Sequence, residues 1–132
     1  LGRPPAEQAL ATLLTVLAHM RGSGVRPDVA TFNAVLGACA AAGDVPRCEA
    51  TFRELLDEGL APDVITYTTL IKAYGRARRV ADAEEVFAAM QQRDNHFSSY
   101  VRPNELTFQE LMHAQLRAGG HARALELYAH CR

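Results

Sequence analysis

A chain of 132 residues, 48% of them apolar, is long enough to bury roughly two-thirds of its surface as one domain. Lys and Arg number 14 against 15 acids, so the strong basic excess that usually marks a dedicated nucleic-acid binder is missing. No apolar stretch approaches the ~20 residues of a membrane span, and no basic, apolar targeting segment opens the chain.

Because the chain opens on Leu1 rather than Met, Leu1 is expected to be an interior residue of a longer protein or its first ordered one. A targeting peptide lost upstream would leave no trace here. The first predicted element is a helix from Pro5 to about Met20, rich in Leu and Ala. It ends in Gly22-Ser23-Gly24-Val25-Arg26-Pro27-Asp28, a closing phrase that returns later. Val29-Ala30-Thr31-Phe32-Asn33 then opens a second helix, with Thr31 placed to cap it and Phe32, Val35, Leu36 and Cys39 at helical spacing. Gly43-Asp44 breaks that helix, and Pro46 suits the first turn of the next. The new helix carries Cys48, Phe52, Leu55 and Leu56 on one stripe. Gly59 fits a left-handed C-terminal cap, and Pro62 holds Ala61 extended.

Val64-Ile65-Thr66-Tyr67-Thr68 restarts the pattern 35 residues after Val29, again behind a Pro-Asp step. Tyr67, Leu70, Ile71 and Tyr74 line one helix; a break is expected near Arg78; Val80, Ala83, Val86, Phe87 and Met90 line the partner. The third start, Glu105-Leu106-Thr107-Phe108-Gln109 behind Pro103-Asn104, comes 41 residues after Val64. The six extra residues fall after Met90, in the polar stretch from Arg93 to Tyr100. Phe97 and Tyr100 there fit either a loop that docks a partner or one tucked against its own helix. Phe108, Leu111 and Met112, a break near Gly119, then Ala122, Leu125, Leu127 and Tyr128 form the last pair of stripes. Ala38, Ala73 and Ala114 recur in matching places and let neighbouring helices approach. Phe87 and Tyr128, equivalent on second helices, are expected to be buried between successive repeats.

A period in this range is the signature of a helical solenoid. The expected fold is all-α, an α-α superhelix of helical hairpins. It divides into 1–28 (the second helix of a partial repeat), 29–63, 64–104 with the insertion, and a truncated 105–132. Equivalent positions of a stacked array line up along one face, so a ligand that is itself a repeating polymer can be read there. Catalytic chemistry has no foothold: there is no nucleophile elbow, no Gly-rich phosphate loop and no acidic cluster with metal spacing. Glu84-Glu85 reads as a solvated helix face. Cys39, Cys48 and Cys131 form no CxxC pair and read as reduced thiols. His19, His96, His113, His121 and His130 have no ligand spacing. No metal, cofactor, membrane or small-molecule substrate is expected.

Val-x-Thr followed by an aromatic and then Asn or Thr, Leu70-Ile71 midway, Ala83-Glu84-Glu85-Val86-Phe87, and the closing Pro-Asp together resemble the pentatricopeptide repeat family. The match covers nearly the whole chain and is most specific in 29–63 and 64–104. Tetratricopeptide repeats share the two-helix architecture but favour Trp and Gly-Tyr landmarks, and this chain has no Trp. The resemblance implies a non-enzymatic protein of the mitochondrion or chloroplast. It would bind single-stranded RNA along its first helices, roughly one base per repeat, in RNA processing, stability or translation. In the family, base choice rests on the residue after the aromatic and the last residue of the closing turn. That assigns Asn33 with Asp63 to uracil and Thr68 with Asn104 to adenine; Gln109 lies outside the usual code and its base is unassigned. Ala30, Ile65 and Leu106 stand where the family sandwiches bases. Lys72, Arg76 and Arg117 suit phosphate contacts, while Ala41 departs from the Arg76 and Arg117 position. The zinc signature of the deaminase-like domain that some relatives append is absent from these residues.

Two alternatives stay open. Asn33 and Thr68 can be read as helix caps, with Asp63 and Asn104 as turn closures. The same repeats can also serve as a scaffold for protein partners in a large ribonucleoprotein, organellar ribosome or polymerase complex, which suits the balanced charge and the aromatic insertion.

Overall fold

Four short polar side chains decide where helices start. Asp28, Asp44, Asp63 and Asn104 each accept a hydrogen bond from the backbone N–H three residues on, satisfying donors that the first helical turn leaves open. The structure, a computed structural model, describes residues 5–92 and 101–131. Seven helices and no strand make up the described residues: α1 (Pro5–Gly22), α2 (Val29–Ala42), α3 (Val45–Asp57), α4 (Val64–Arg76), α5 (Val80–Met90), α6 (Glu105–Arg117) and α7 (His121–Cys131). Thr31 is not the cap of α2. It lies at the third helical position and gives its N–H and its hydroxyl to Asp28 Oδ1, both at 2.9 Å. A carboxylate one turn earlier outcompetes the hydroxyl for the cap position. The insertion with Phe97 and Tyr100, and His96 beside them, lie outside the described residues.

The breaks fall where the glycines and Arg78 predict. Gly43, Gly59 and Gly119 take left-handed backbones, with φ of 73°, 77° and 82°. Arg78 occupies the site equivalent to Gly43 and Gly119 at φ 61° and adds a hydrogen bond from Nη1 to the Arg117 carbonyl at the end of α6.

The helices form two layers. α2, α4 and α6 pack side by side as an inner layer, and α1, α3, α5 and α7 lie outside, each against an inner helix. Outer helices do not bring their Cα atoms within 8 Å of one another. The core runs between the layers: Val35, Leu36 and Cys39 with Cys48 and Leu70 at one end, Tyr67, Ile71 and Leu111 with Met90 and Leu127 at the other. Ala38, Ala73 and Ala114 are all buried, as their recurrence predicts. The inner helices approach closely at Gly75, where a Cβ would stand 2.8 Å from the Cβ of Ala114.

The last outer helix departs from expectation. Ala124 and Leu127 carry its buried stripe, while Ala122 is exposed and Leu125 and Tyr128 are 70% and 55% exposed. Phe87 is half-buried, set edge-on to Phe108 with ring centroids 5.5 Å apart. It is covered by α6 of the following hairpin, whereas the equivalent face of α7 meets no further described helix. No described helix is long and apolar enough to cross a membrane.

Candidate nucleic-acid interface

Inner helices share a periodic stripe. Residues two, five, nine and thirteen of a helix fall on one side of it. On α2 these are Ala30, Asn33, Gly37 and Ala41; on α4, Ile65, Thr68, Lys72 and Arg76; on α6, Leu106, Gln109, His113 and Arg117. Ala30, Ile65 and Leu106 form a row of exposed apolar residues at the helix starts, with Ile65 at 58% and Leu106 at 53% exposure. An apolar side chain held in water beside a helix N-terminus is poised to cover a flat ring. Gln109 is exposed, and no described residue stands at a closing turn beyond it.

Asn33 and Asp63 are 30 residues apart in sequence and meet side by side. The Asn33 Nδ2 donates to Asp63 Oδ1 at 3.0 Å. Asp63 Oδ1 also receives the Thr66 N–H at 3.0 Å, so one carboxylate both caps α4 and holds a side chain of α2. The buried Thr66 hydroxyl joins the two: it lies 2.6 Å from Asn33 Oδ1 and 3.0 Å from Asp63 Oδ1, and accepts the Asp63 N–H at 3.2 Å. Burial pushes the Asp63 carboxyl up, but the Thr66 and Asn33 hydrogen bonds together outweigh it and hold the group below its ordinary value. The pair is therefore an amide beside a permanent anion at neutral pH.

Thr68 and Asn104 hold the equivalent places and are wired through Thr107. Its buried hydroxyl lies 2.8 Å from Thr68 Oγ1 and 2.9 Å from Asn104 Oδ1. Asn104 Oδ1 also accepts the Thr107 N–H at 3.0 Å, as the cap of α6. Thr68 itself is only 6% exposed, so Asn104 is the accessible member of this pair. Asp63 and Asn104 are thus caps as well as pair members, while Asn33 and Thr68 cap nothing. Sequence reasoning missed Thr66 and Thr107 as site residues. Their signal was the Thr that recurs in each helix-opening phrase, of which only Thr31 suggests a role, as a cap.

α2 and α4 contain no acid, and Lys72, Arg76 and Arg117 form no ion pair among the described residues. Lys72 is half-buried; Arg76 and Arg117 are exposed at the ends of α4 and α6. Several acids of the outer layer are engaged in bridges along that layer: Arg21 to Glu54 at 3.2 Å, Arg79 to Glu49 at 3.7 Å, and Arg123 to Glu84 at 2.9 Å. The inner layer thus offers three cations outside any such bridge, alongside the acids Glu105 and Glu110 of α6.

Comparison with known proteins agrees with this architecture. The model of the PPR repeat family matches residues 27–76 and 62–117, and that of the pentatricopeptide repeat domain matches 7–42. The mitochondrial 15S rRNA processing factor CCM1 of Yarrowia lipolytica is 30% identical over 71% of this chain and 12% of its own length. A chloroplastic pentatricopeptide repeat-containing protein of Arabidopsis thaliana is 46% identical over 52% of this chain and 9% of its own. Among solved structures, the repeat protein PPR10 in complex with an 18-nt psaJ RNA element superposes with a TM-score of 0.69 and 32% identity, over 88% of this chain and 15% of PPR10. The chain thus spans a small part of the proteins it matches. On these matches and on its paired helices, it belongs to the pentatricopeptide repeat family.

Proposed function

We propose that this chain reads single-stranded RNA along its inner helices, within an organellar protein of RNA processing. The observation that carries the proposal is the direct contact of Asn33 with Asp63 at the seam of α2 and α4, two inner helices that contain no acid. Each repeat (29–63, 64–104 and the start of 105–132) takes one nucleotide. Asn33 with Asp63 presents an N–H donor beside a carboxylate acceptor, the complement of the O4 and N3–H of uracil. Asn104, with Thr68 behind it, presents an amide to adenine, and Gln109 contributes at a third nucleotide. Ala30, Ile65 and Leu106 sandwich the bases, and Lys72, Arg76 and Arg117 hold the phosphates. The role is binding rather than catalysis.

The RNA bound to PPR10 in its crystal structure and the rRNA processing carried out by CCM1 support this reading. The test is a graft of one pair onto the other. Asn33→Thr with Asp63→Asn, made in the complete protein, should move preference at one nucleotide from uracil towards adenine by about 1–3 kcal/mol, the scale of a good base contact in DNA. An unchanged ranking of RNAs differing only at that nucleotide rejects the reading. A protein-docking scaffold is favoured by one observation, the open apolar groove of α6 and α7 lined by Met112, Leu116, Leu125 and Tyr128. On that reading the double change leaves RNA preference untouched.

A further inference from the structure

Asn33 carries a chemically ambiguous group. A carboxamide turned by 180° exchanges its donor for its acceptor, and base selection by Asn33 requires that one orientation be held. Asp63 supplies half of the constraint, since its Oδ1 can face only the N–H side of the amide. The other half comes from Thr66. Its hydroxyl has one proton and two acceptors in reach, Asn33 Oδ1 at 2.6 Å and Asp63 Oδ1 at 3.0 Å. Asp63 Oδ1 is already supplied by the Thr66 N–H and by Asn33, so the shorter contact takes the proton.

We propose that Thr66 is a positioning residue for base selection: by donating to Asn33 Oδ1 from a fully buried hydroxyl, it fixes the carboxamide so that the second N–H, and not the oxygen, faces the ligand. Uracil then meets a donor at O4 and an acceptor at N3–H, while cytosine presents an amine to the donor and a lone pair to the carboxylate. The selection is of uracil over cytosine, two bases of equal size that stacking cannot separate. This inference rests on the RNA reading above.

The next seam shows which part of the device is specific. Asn104 has its orientation set by the backbone N–H of Thr107 at 3.0 Å, which no side-chain substitution removes. Among the described residues Asn33 Oδ1 has no such backbone donor and depends on the hydroxyl. Thr66 and Thr107 therefore occupy equivalent sites with unequal consequences.

The test uses the complete protein and single-stranded RNAs selected by the wild type from a random pool, varied to all four bases at the nucleotide facing Asn33. Thr66→Val should lower the uracil-over-cytosine ratio about fivefold, the factor one neutral hydrogen bond is worth. Thr66→Ser should keep the ratio within about twofold of wild type, because the proton is retained. Thr107→Val should leave this nucleotide's ranking unchanged. Equal weakening for all four bases in folded Thr66→Val, or loss of the ratio in Thr66→Ser, makes Thr66 merely a structural residue and overturns the proposal. A wild type with no preference at this nucleotide overturns the RNA reading itself, and the proposal with it. Should Thr66→Val fail to fold, the wild type still decides: its Thr66 hydroxyl proton must exchange slowly with solvent, as a donor held by Asn33 Oδ1, and exchange at the rate of a free hydroxyl overturns the proposal.

Discussion

The two polar pairs, Asn33 with Asp63 and Thr68 with Asn104, differ in how much of each stays in contact with solvent. At the first, a half-buried amide touches an exposed carboxylate directly, and both remain available. At the second, the shorter Thr68 side chain cannot reach Asn104 and contacts Thr107 instead, sinking to 6% exposure. The same backbone thus presents two polar groups at one step and chiefly one at the next. Side-chain length, not fold, sets that difference. It also changes what each closing residue contributes, because Asp63 caps a helix, holds a neighbour and carries charge, whereas Asn104 caps through the same geometry without charge.

Substitutions can break this comparison at graded cost. The largest effect is expected beneath the second pair. In an exposed helix Gly→Ala stabilises by about 1 kcal/mol, but Gly75→Ala should destabilise by about 1–3 kcal/mol because its methyl collides with Ala114, which has no rotamer to yield. A rise in the thermal midpoint would show that α4 and α6 are not in contact there. Next come the caps. Asp63→Ala and Asn104→Ala should each cost about 1–2 kcal/mol in chemical denaturation. Asp63 should stand at the upper end, since its loss also strands Asn33; equal costs would mean that the Asn33 contact adds nothing.

A smaller effect separates the pairs by pH. Because the Asp63 carboxyl is held below its ordinary value when folded, its contribution is present above the unfolded value near 4 and fades as pH falls through and below it. The stability difference between wild type and Asp63→Asn should shrink by about 1 kcal/mol or less between pH 6 and pH 3, solvent screening limiting its size. Asn104→Ala should show no such trend against wild type, and a pH-independent difference for Asp63→Asn would contradict the hydrogen-bonded anion. The smallest effect concerns phosphate. On the RNA reading, three phosphate contacts from Lys72, Arg76 and Arg117 should give a salt slope near −2, at about −0.7 each. Arg76→Ala should remove about 0.7 from that slope and leave base ranking intact. A changed ranking would place Arg76 at a base.

Much of this architecture was legible in the residues. Helix breaks at Gly43, Gly59, Arg78 and Gly119 follow from local chemistry, since a left-handed backbone or a proline acts within a turn. Asp28 as the cap of α2 was within reach of the same logic; Thr31 was preferred because both residues accept hydrogen bonds and the sequence alone does not say which one the backbone reaches. Leu125 and Tyr128 share the helical spacing of a buried stripe, but burial needs a covering helix as well as a pattern, and among the described residues no helix follows α7. The pair Asn33 and Asp63 could be named from family resemblance. The burial of Thr68 and the linking roles of Thr66 and Thr107 could not, because they depend on ångström distances between separate helices. Gly75 gave no periodic signal either: its equivalents are Ala40 and Leu116, and only the crossing of α4 with α6 requires the missing methyl.

The unequal seams of the two layers have a mechanical consequence. Inner helices meet through buried packing as close as the Gly75–Ala114 contact, whereas outer helices are joined by partly exposed ion pairs, each worth at most about 1 kcal/mol in water. Such a strip has a stiff spine and a soft back. Bending that spreads the outer helices breaks only what salt already weakens, while stretching the spine must open the core. The distance from one polar pair to the next is therefore the length that changes least under load, and curvature the most yielding.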